Sequence, residues 1–510
     1  MASVIGQAAG HQSIEDEEGI DIPHVKYTDF QDIWAKNRAI IAGEKETKEY
    51  DKYIDTNEYS NILLPFSNAM SQAQYRFLVA EGELPGICSQ YTSALVGGLL
   101  RKGVDLEFPA NVPDEAQSWI LDNFTSDKKS LINFLDNAIF EELNTNRSWM
   151  WIDIPEADEF SIELGEDVSP FPSLLPAESV INWKADEYGL TMVIVHDQVD
   201  TQQNEFHPTL EDRIVVHDLV YMEELDRKVY RLRQYKQEDE SGDWVLVAAP
   251  STTTIRNEPI DFIPLFPLND ETDPLKPMLT PLVDREINLY NKITRRNHLL
   301  YGASTYTPIV FSDMSSDDFD EVVDNGLGSW LLLGQQDKID VLSTPTGAIK
   351  DIENAIASTV ADMAKLGIRM LAEEKVQSGV ALDIRNASQT ARLGLLSNKL
   401  ASGMSKTIAI MLNWKYDLEL TPDDIGFSVQ TDFNPKPVDE ATLRLLGEWY
   451  GEGLISRETF ISALKANSLV PTNYDDEVAV DEINNDDLIL SGIDKNTNNI
   501  ANANALPIED

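Results

Sequence analysis

Three helical patterns in succession, spread over Asp273–Leu418, constrain this chain more than any other stretch. The first covers Pro274–Tyr301, with Leu279, Leu282, Val283, Ile287, Leu289, Tyr290 and Ile293 at helical spacing. About 27 helical residues would span about 40 Å. The second covers Thr346–Gly367, with Thr344 placed to cap it and Pro345 at its first position. Its stripe of Ile349, Ile352, Ile356, Val360 and Met363 is narrow, which predicts one seam against a neighbouring helix. The third runs Asn386–Asp417, where Asn386 and Gln389 have the spacing of a capping box. Leu393, Leu396, Leu400, Met404, Ile408 and Met411 form its apolar face, and Gly394, Ala401, Ser402 and Gly403 predict close packing on another helix. The insert 303–345 holds strand patterns at Tyr306–Phe311, Ser329–Leu333 and Ile339–Leu342 around an acidic run, Ser312–Asp324. The gap 368–385 contains Gly379 and crowded charges. Together these read as a helical shaft with an excursion at its tip and a loop on its return.

The rest of the chain divides into a helical run and a β run. Helices are predicted at Phe30–Ala42, Asn68–Ala80, Pro85–Arg101, Asp114–Phe124 and Ser126–Leu143. In the last of these Leu131, Phe134, Leu135, Ala138, Ile139 and Leu143 make one stripe. From Trp149 to Pro267 the pattern is mostly β: Trp149–Ile154, Val180–Lys184, Leu190–His196, Arg213–Glu223, Lys228–Gln234 and Trp244–Val247. The tetrapeptides at 186–189 and 240–243 supply hairpin turns. A strand is expected at Gly426–Phe433 and short helices at Asp439–Tyr450 and Arg457–Ala466. Helices and strands in separate runs define an α+β fold. Residues 1–25 are polar and acidic and read as a flexible arm, and the acidic, Asn-rich end reads as partly disordered.

Composition narrows the partners. There are 88 acidic and 40 basic residues, a net charge of −48. That charge opposes tight contact with nucleic-acid phosphates or an anionic membrane. Solubility, a saline habitat, and a surface that stays near DNA without holding it all account for it, and composition does not choose among them. The single cysteine, Cys88, excludes an internal disulfide and a thiolate zinc site, and reads as a buried small hydrophobe. The N-terminal residues lack the basic region and apolar core of a signal peptide, and no apolar run approaches a membrane span. A protein without membrane or disulfide, made in a reducing compartment, is expected.

Catalytic patterns are missing from the sequence. It has no phosphate loop of the G-x-x-x-x-G-K-[ST] type, no G-x-G-x-x-G before a helix, no H-E-x-x-H and no G-x-S-x-G. Acidic pairs are too common for any to stand out as general acid and base. Asp317, Asp318, Asp320 and Glu321 lack the glycine-containing alternation of a calcium loop, so a solvated acidic face is the reading there. His196 and His217 fall in predicted strands and read as structural, as do Trp149, Trp151 and Trp183. Neither an enzyme, a metal nor a cofactor is indicated. Arg285, Lys292, Arg295, Arg296 and His298 stand out on the first shaft helix. They either complement the helix end and acidic neighbours or meet a polyanion.

Five segments carry a family resemblance: WAKNRAIIAG at 34–43, YTSALVGGLLRKGVDLEFP at 91–109, LLPAESVINW at 174–183, IPLFPLNDETDPLKPMLTPLVDREINLYN at 263–291 and GEGLISRETFISAL at 451–464. In this order the chain resembles the portal proteins of tailed bacteriophages, the dodecameric head-to-tail connectors. The resemblance implies a homododecameric ring with wing, stem, clip, tunnel loop and crown around a channel. On this chain it implies an arm at 1–25, a wing at 26–273, stem helices at 274–302 and 346–367, and a clip at 303–345. A tunnel loop at 368–386, a long helix with a C-terminal wing part at 387–470, and an acidic crown or tail at 471–510 complete it.

The implied role is a conduit at one capsid vertex through which the genome is packaged and ejected. Its implied partners are other copies of itself, the terminase large subunit, a head–tail adaptor, the major capsid protein and, by non-specific passage, double-stranded DNA. Its implied place is the virion, and the host cytoplasm during assembly. The channel cations would be Lys292, Arg295, Arg296, Lys375 and Arg385. The docking residues of the clip would be Asp313, Asp317, Asp318, Asp320 and Glu321. Another virion component of capsid or connector type, or an acidic hydrolase, are the alternatives.

Overall fold

The computed structural model describes residues 19–53, 63–64, 71–153, 169–200, 207, 209–238, 243–255, 258–304, 307–311, 338–342, 346–366, 379–429 and 440–466. The chain divides into two units, Met1–Thr431 and Asp432–Asp510.

In the first unit α1 (Val25–Ala42) begins five residues earlier than its apolar pattern predicts, because His24 caps it by accepting from the Lys26 amide at 3.1 Å. It ends at Gly43, whose φ of 123° suits glycine. Then come α2 (Glu44–Tyr53), not foreseen in the sequence, α3 (Gln72–Ala80) and α4 (Ile87–Leu100). Pro85 lies outside α4; the left-handed Gly86 precedes it instead. Strand β1 (Val104–Glu107) leads to α5 (Asp114–Asp122) and α6 (Leu131–Thr145). Helix α6 starts later than predicted, after a turn at Lys128 in which Thr125 Oγ1 accepts from the Lys129 amide. Its predicted stripe is buried throughout.

The α6–β2 turn collects polar groups from several segments. Asn146 takes the left-handed conformation that ends α6, and β2 (Ser148–Asp153) follows. From α1, Trp34 Nε1 donates to the Thr145 carbonyl at 3.1 Å and Asn37 Nδ2 to the Asn144 carbonyl at 2.9 Å. Glu142, fully buried, accepts from the Ser148 amide at 2.8 Å, the Ser148 hydroxyl at 2.6 Å and Asn269 Nδ2 at 3.2 Å. Arg147, also buried, donates to the carbonyls of Glu271 and Thr272 and lies 4.1 Å from the Trp149 ring centre. Burial pushes the Glu142 carboxyl up to about 7, against the lowering by Ser148, Arg147 and Asn269. Burial likewise pulls Arg147 down to about 10, opposed by Glu142, Asp273 and Glu271.

Two sheets follow. One has the order β11-β2-β3, with β3 at Phe171–Pro176 and β11 at Leu265–Pro267. The other is an antiparallel meander of β4 (Val180–Asp186), β5 (Gly189–Asp200), β6 (Leu210–Met222), β7 (Arg227–Gln237) and β8 (Trp244–Leu246). A small ribbon, β9 (Thr254–Ile255) and β10 (Glu258–Pro259), precedes β11. The meander is apolar on both faces because alternate residues serve different clusters. Val193, Val195 and Tyr230 join Trp149, Trp183 and Leu265, whereas Ile194, Ile214, Val216 and Tyr235 form a second cluster reached by Ile20 and Tyr27. His217 is a buried structural group: Nδ1 sits 2.8 Å from the Tyr230 hydroxyl, and burial pushes the ring down to about 3. His196 differs: its side chain is exposed and faces Asp212 at 3.7 Å. The predicted turn at 186–189 forms, with Gly189 at φ 130° and the Tyr188 amide on Asp186. Of the turn at 240–243, residues 240–242 lie outside the described residues.

Three helices and three strands complete this unit. They are α7 (Thr280–Ser304), β12 (Thr307–Phe311), β13 (Lys338–Leu342), α8 (Thr346–Leu366), α9 (Gly379–Tyr416) and β14 (Gly426–Val429). Strand β14 pairs antiparallel with β1, from Val104–Val429 to Glu107–Gly426. Helix α9 is longer than predicted: it begins at Gly379, so Asn386 lies inside it and does not cap it. Its apolar face is buried as expected, from Leu393 to Met411. The close packing is not against a helix, however. A Cβ on Gly403 would fall on the carbonyl oxygen of Leu268, in the turn after β11, while one on Gly394 would meet nothing within 4 Å. In the second unit α10 (Glu440–Gly451) and α11 (Arg457–Ala466) stack Tyr450 on Phe460 at 4.8 Å, and Ser456 Oγ accepts from the Thr459 amide.

Two outcomes follow. Gly403→Ala should lower the melting temperature, since the backbone of Leu268 has to shift, at a cost of about 1–3 kcal/mol. Gly394→Ala should raise it by relieving about 1 kcal/mol of helix-propensity penalty. For Glu142 the folded carboxyl titrates above the unfolded value of about 4.3. The stability it contributes is therefore present below that pH and lost as pH rises through about 7. Urea titrations between pH 4 and 8 should show a decline of roughly 3 kcal/mol from this group, and Glu142→Gln should flatten it.

Candidate functional site

The shaft is built from α7 and α8, and the antiparallel pair β12–β13 lies between them in the chain. Moving outward from the Lys292–Thr359 bond to the Thr307–Leu342 pair, one segment advances as the other retreats, so the helices are antiparallel. Twenty-five residues make α7 about 37 Å long. Its predicted apolar positions from Leu279 to Ile293 are all buried. The helix starts at Thr280 rather than Pro274 because Pro274 and Pro277 occupy the approach, and the Pro277 carbonyl closes a turn on the Thr280 amide. Pro281 then sits in the first turn, where its missing N–H costs nothing. On α8 Met363 is buried, Ile349, Ile352 and Ile356 are half-buried, and Val360 is 40% exposed, so the predicted seam opens partway along the helix.

The base of α7 is fixed to the helical region by groups the apolar pattern does not reveal. Glu286 is fully buried, and its two oxygens accept from the amides of Ile87 at 2.8 Å and Cys88 at 2.6 Å. A carboxylate from one helix thus satisfies the first amides of another, where α4 has no side-chain cap of its own. Burial, then the Glu286 charge, raises the Cys88 thiol far above its ordinary range, so the thiol stays protonated and inert. Asn37 Nδ2 reaches Thr280 Oγ1 at 3.1 Å, and Lys36 pairs with Asp284 at 2.7 Å. Tyr290 lies where a side chain at Gly82 would be. Farther along, Asn297 and His298 reach Glu81 at 3.4 and 3.3 Å.

The predicted site residues are distributed unevenly along this frame. Lys292 is half-buried, its ammonium 2.5 Å from Thr359 Oγ1, so it bridges the two shaft helices. Arg296 turns to Asn297 Oδ1 at 2.8 Å and to Glu83 at 4.0 Å. Arg295 is exposed, and among the described residues it has no ion-pair partner. Arg385 belongs to α9. Lys375 lies outside the described residues, as do Asp313, Asp317, Asp318, Asp320, Glu321, the strand predicted at Ser329–Leu333 and the cap at Thr344–Pro345. Among the described residues no group of three or more His, Cys, Asp and Glu side chains could hold a metal ion, and no helix is long and apolar enough to cross a membrane.

These features define an α+β protein with a long antiparallel helix pair anchored by its base, between whose helices the chain forms an antiparallel strand pair. A family model described only as a domain of unknown function, DUF4055, matches residues 278–415, well under half of the chain. No curated protein matches. Among solved structures, one titled "Virion of native gene transfer agent (GTA) particle" aligns over 78% of this chain and 94% of its own, at 11% identity and a TM-score of 0.36. Another, "Neck of empty GTA particle computed with C6 symmetry", aligns over 75% and 90%, at 9% identity and a TM-score of 0.36. Superpositions this loose do not establish a shared fold.

Removing Glu286 would leave the buried Cys88 amide and the partly buried Ile87 amide at the start of α4 without an acceptor. Glu286→Ala is expected to cost about 2–3 kcal/mol; Glu286→Gln, which keeps one acceptor oxygen, should cost less. Chemical denaturation of both variants checks the order.

Proposed function

We propose that this chain is a virion structural protein of portal type, one subunit of a ring at a capsid vertex through which the genome enters and leaves. The observation that carries this reading is the order of parts within one frame. An anchored helix leads to an antiparallel strand pair, a second helix returns antiparallel, and the 38-residue α9 follows. That is the sequence of stem, clip, stem and long helix which the resemblance implies. In this reading α7 and α8 are the stem, residues 303–345 the clip and 368–386 the tunnel-loop region, whose last eight residues form the first two turns of α9.

The electrostatics suit passage rather than grip. A net charge of −48 per chain becomes several hundred in a ring and lowers the affinity of any phosphate contact. A few cations offer transient contact: Arg295 on the shaft, with Lys292, Arg296, Lys375 and Arg385 as its company. The acidic residues Asp313, Asp317, Asp318, Asp320 and Glu321 suit a basic docking surface on a terminase or adaptor. The protein acts without chemistry of its own, in the virion and, during assembly, in the host cytoplasm.

Negative-stain images of the purified protein should show rings of about twelve subunits with a central hole. A monomer or dimer would overturn the reading, and closed shells of many copies would favour a capsid component. In a packaging assay, neutralising Lys375 and Arg385 together should impair packaging or genome retention. Unchanged packaging and retention would remove the functional content of the tunnel-loop assignment.

A further inference from the structure

One face of the meander carries an excess of positive charge, in a chain whose net charge is −48. Strand register lays two rows across it: Lys184, Met192, Asp218 and Arg231, then Asn182, Ile194, Val216 and Arg233. Alternation puts these side chains on the side of the cluster that holds Ile194, Val216 and Tyr235. Arg231 takes both oxygens of Asp218, at 3.0 and 2.5 Å. Arg233 shares that carboxylate at 2.9 Å and donates to the Tyr235 hydroxyl at 3.0 Å. One carboxylate therefore answers two guanidiniums, and Arg233 Nε donates to no group. Lys184 is exposed, and among the described residues it has neither a hydrogen bond nor an ion pair. Farther along the same face Arg227 is answered by Glu258 at 3.7 Å, and Asp212 faces His196. The two rows thus hold three cations and one anion, and the arginine side chains remain 30% and 25% exposed.

The same face receives residues 19–24. Ile20 packs on the cluster of Ile194, Val216 and Tyr235, the Ile22 carbonyl accepts from Asn182 Nδ2 at 2.9 Å, and the His24 amide donates to the Ile181 carbonyl at 2.8 Å. Directly before them in the sequence stand Glu15, Asp16, Glu17 and Glu18, which lie outside the described residues. We propose that this acidic segment docks on the patch of Lys184, Arg231 and Arg233 of its own chain and so latches the N-terminal arm to the meander. Reach allows it: two to five residues from Ile20 span about 7 to 17 Å, and β4 and β7 stand three strand spacings of about 4.8 Å apart. Charge favours it, since partly desolvated guanidiniums with too few anions gain from further carboxylates. The tether selects the occupant. A separate chain of the same net charge is repelled as it approaches, whereas a segment already anchored through Ile20 acts at the high effective concentration of an intramolecular partner. The inference is independent of the ring reading: it concerns the arm and the meander, not the shaft.

The test uses the full chain and Glu-C protease, which cuts after glutamate, so that Glu15, Glu17 and Glu18 report on the arm by mass spectrometry. Cleavage there should be at least about tenfold slower than in a free peptide of residues 9–24, because it follows the fraction of time the arm is released. Lys184→Gln together with Arg233→Gln should remove most of that protection, and Lys184→Gln alone, at an exposed site, should speed cleavage about twofold to threefold. Sodium chloride at about 0.5 M should act in the same direction by screening, measured against the peptide at equal salt. Lys236→Gln, an exposed cation on the opposite face of β7, should leave the rate unchanged. Melting curves confirm that the variants fold. Cleavage as fast as in the peptide, or protection indifferent to both the substitutions and salt, would overturn the proposal. So would protection lost on dilution of the protein, since the occupant would then be the arm of a second copy.

Discussion

The turn from Asn144 to Ser148 is the point on which the first unit depends. Helix α6 ends there with carbonyls that have no helical partner, and a chain reversal has to be buried among apolar neighbours. Orphan carbonyls in such a place cost free energy unless something donates to them. Helix α1 supplies Trp34 and Asn37, the segment before α7 supplies Asn269, and Glu142 reaches back to Ser148. Arg147 sends its charge the other way, onto the carbonyls of Glu271 and Thr272. Since Lys399 of α9 pairs with Glu271, the same locus orients the long helix. Four separate stretches of chain are therefore held in register by one polar knot, and a defect in any member exposes a buried charge or amide.

The shaft inherits its placement from that knot. Asn37 links the α6 carbonyls directly to Thr280 at the start of α7, and two turns later Glu286 clamps the start of α4. The proximal half of α7 is thus locked by Asn37 and Glu286, and its distal part is held to α3 and the turn after it by Asn297 and His298 on Glu81 and by Phe77 against Tyr301. How α7 is held along its length comes from which polar residues fall on which turn, not from helix propensity.

Much of the fold was legible because it rests on periodicity. The α6 stripe, the α7 stripe from Leu279 to Ile293, the α9 face from Leu393 to Met411 and the five meander strands all follow from where apolar residues recur. What escaped is polar or positional. Glu286 looks like any other acid in a chain with 88 of them. Only its place among the buried positions of α7 distinguishes it, flanked by Val283, Ile287 and Leu289. The early start of α1 depended on a histidine cap, and the late start of α7 on proline geometry before it. Gly403 announced close packing, but the partner was a backbone carbonyl 135 residues upstream, at Leu268, which no local pattern encodes. The shaft cations were found by composition, yet one side chain's job differs from another's for reasons of neighbourhood: Lys292 bridges helices while Arg295 faces solvent.

The pairing of β1 with β14 has a bearing on synthesis. Val104–Glu107 emerges from the ribosome more than three hundred residues ahead of the strand that completes it. Until then its backbone donors and acceptors form an open edge, able to template association with another chain. Closing so long a loop costs little more entropy than closing a moderate one, because the penalty grows only logarithmically. The difficulty is one of timing and not of final stability: the nascent helical region has to wait, with an unpaired edge, for most of the polypeptide to be made. A chain organised this way favours slow, whole-unit completion over stepwise domain folding, and high local concentrations of nascent copies would be its hazard.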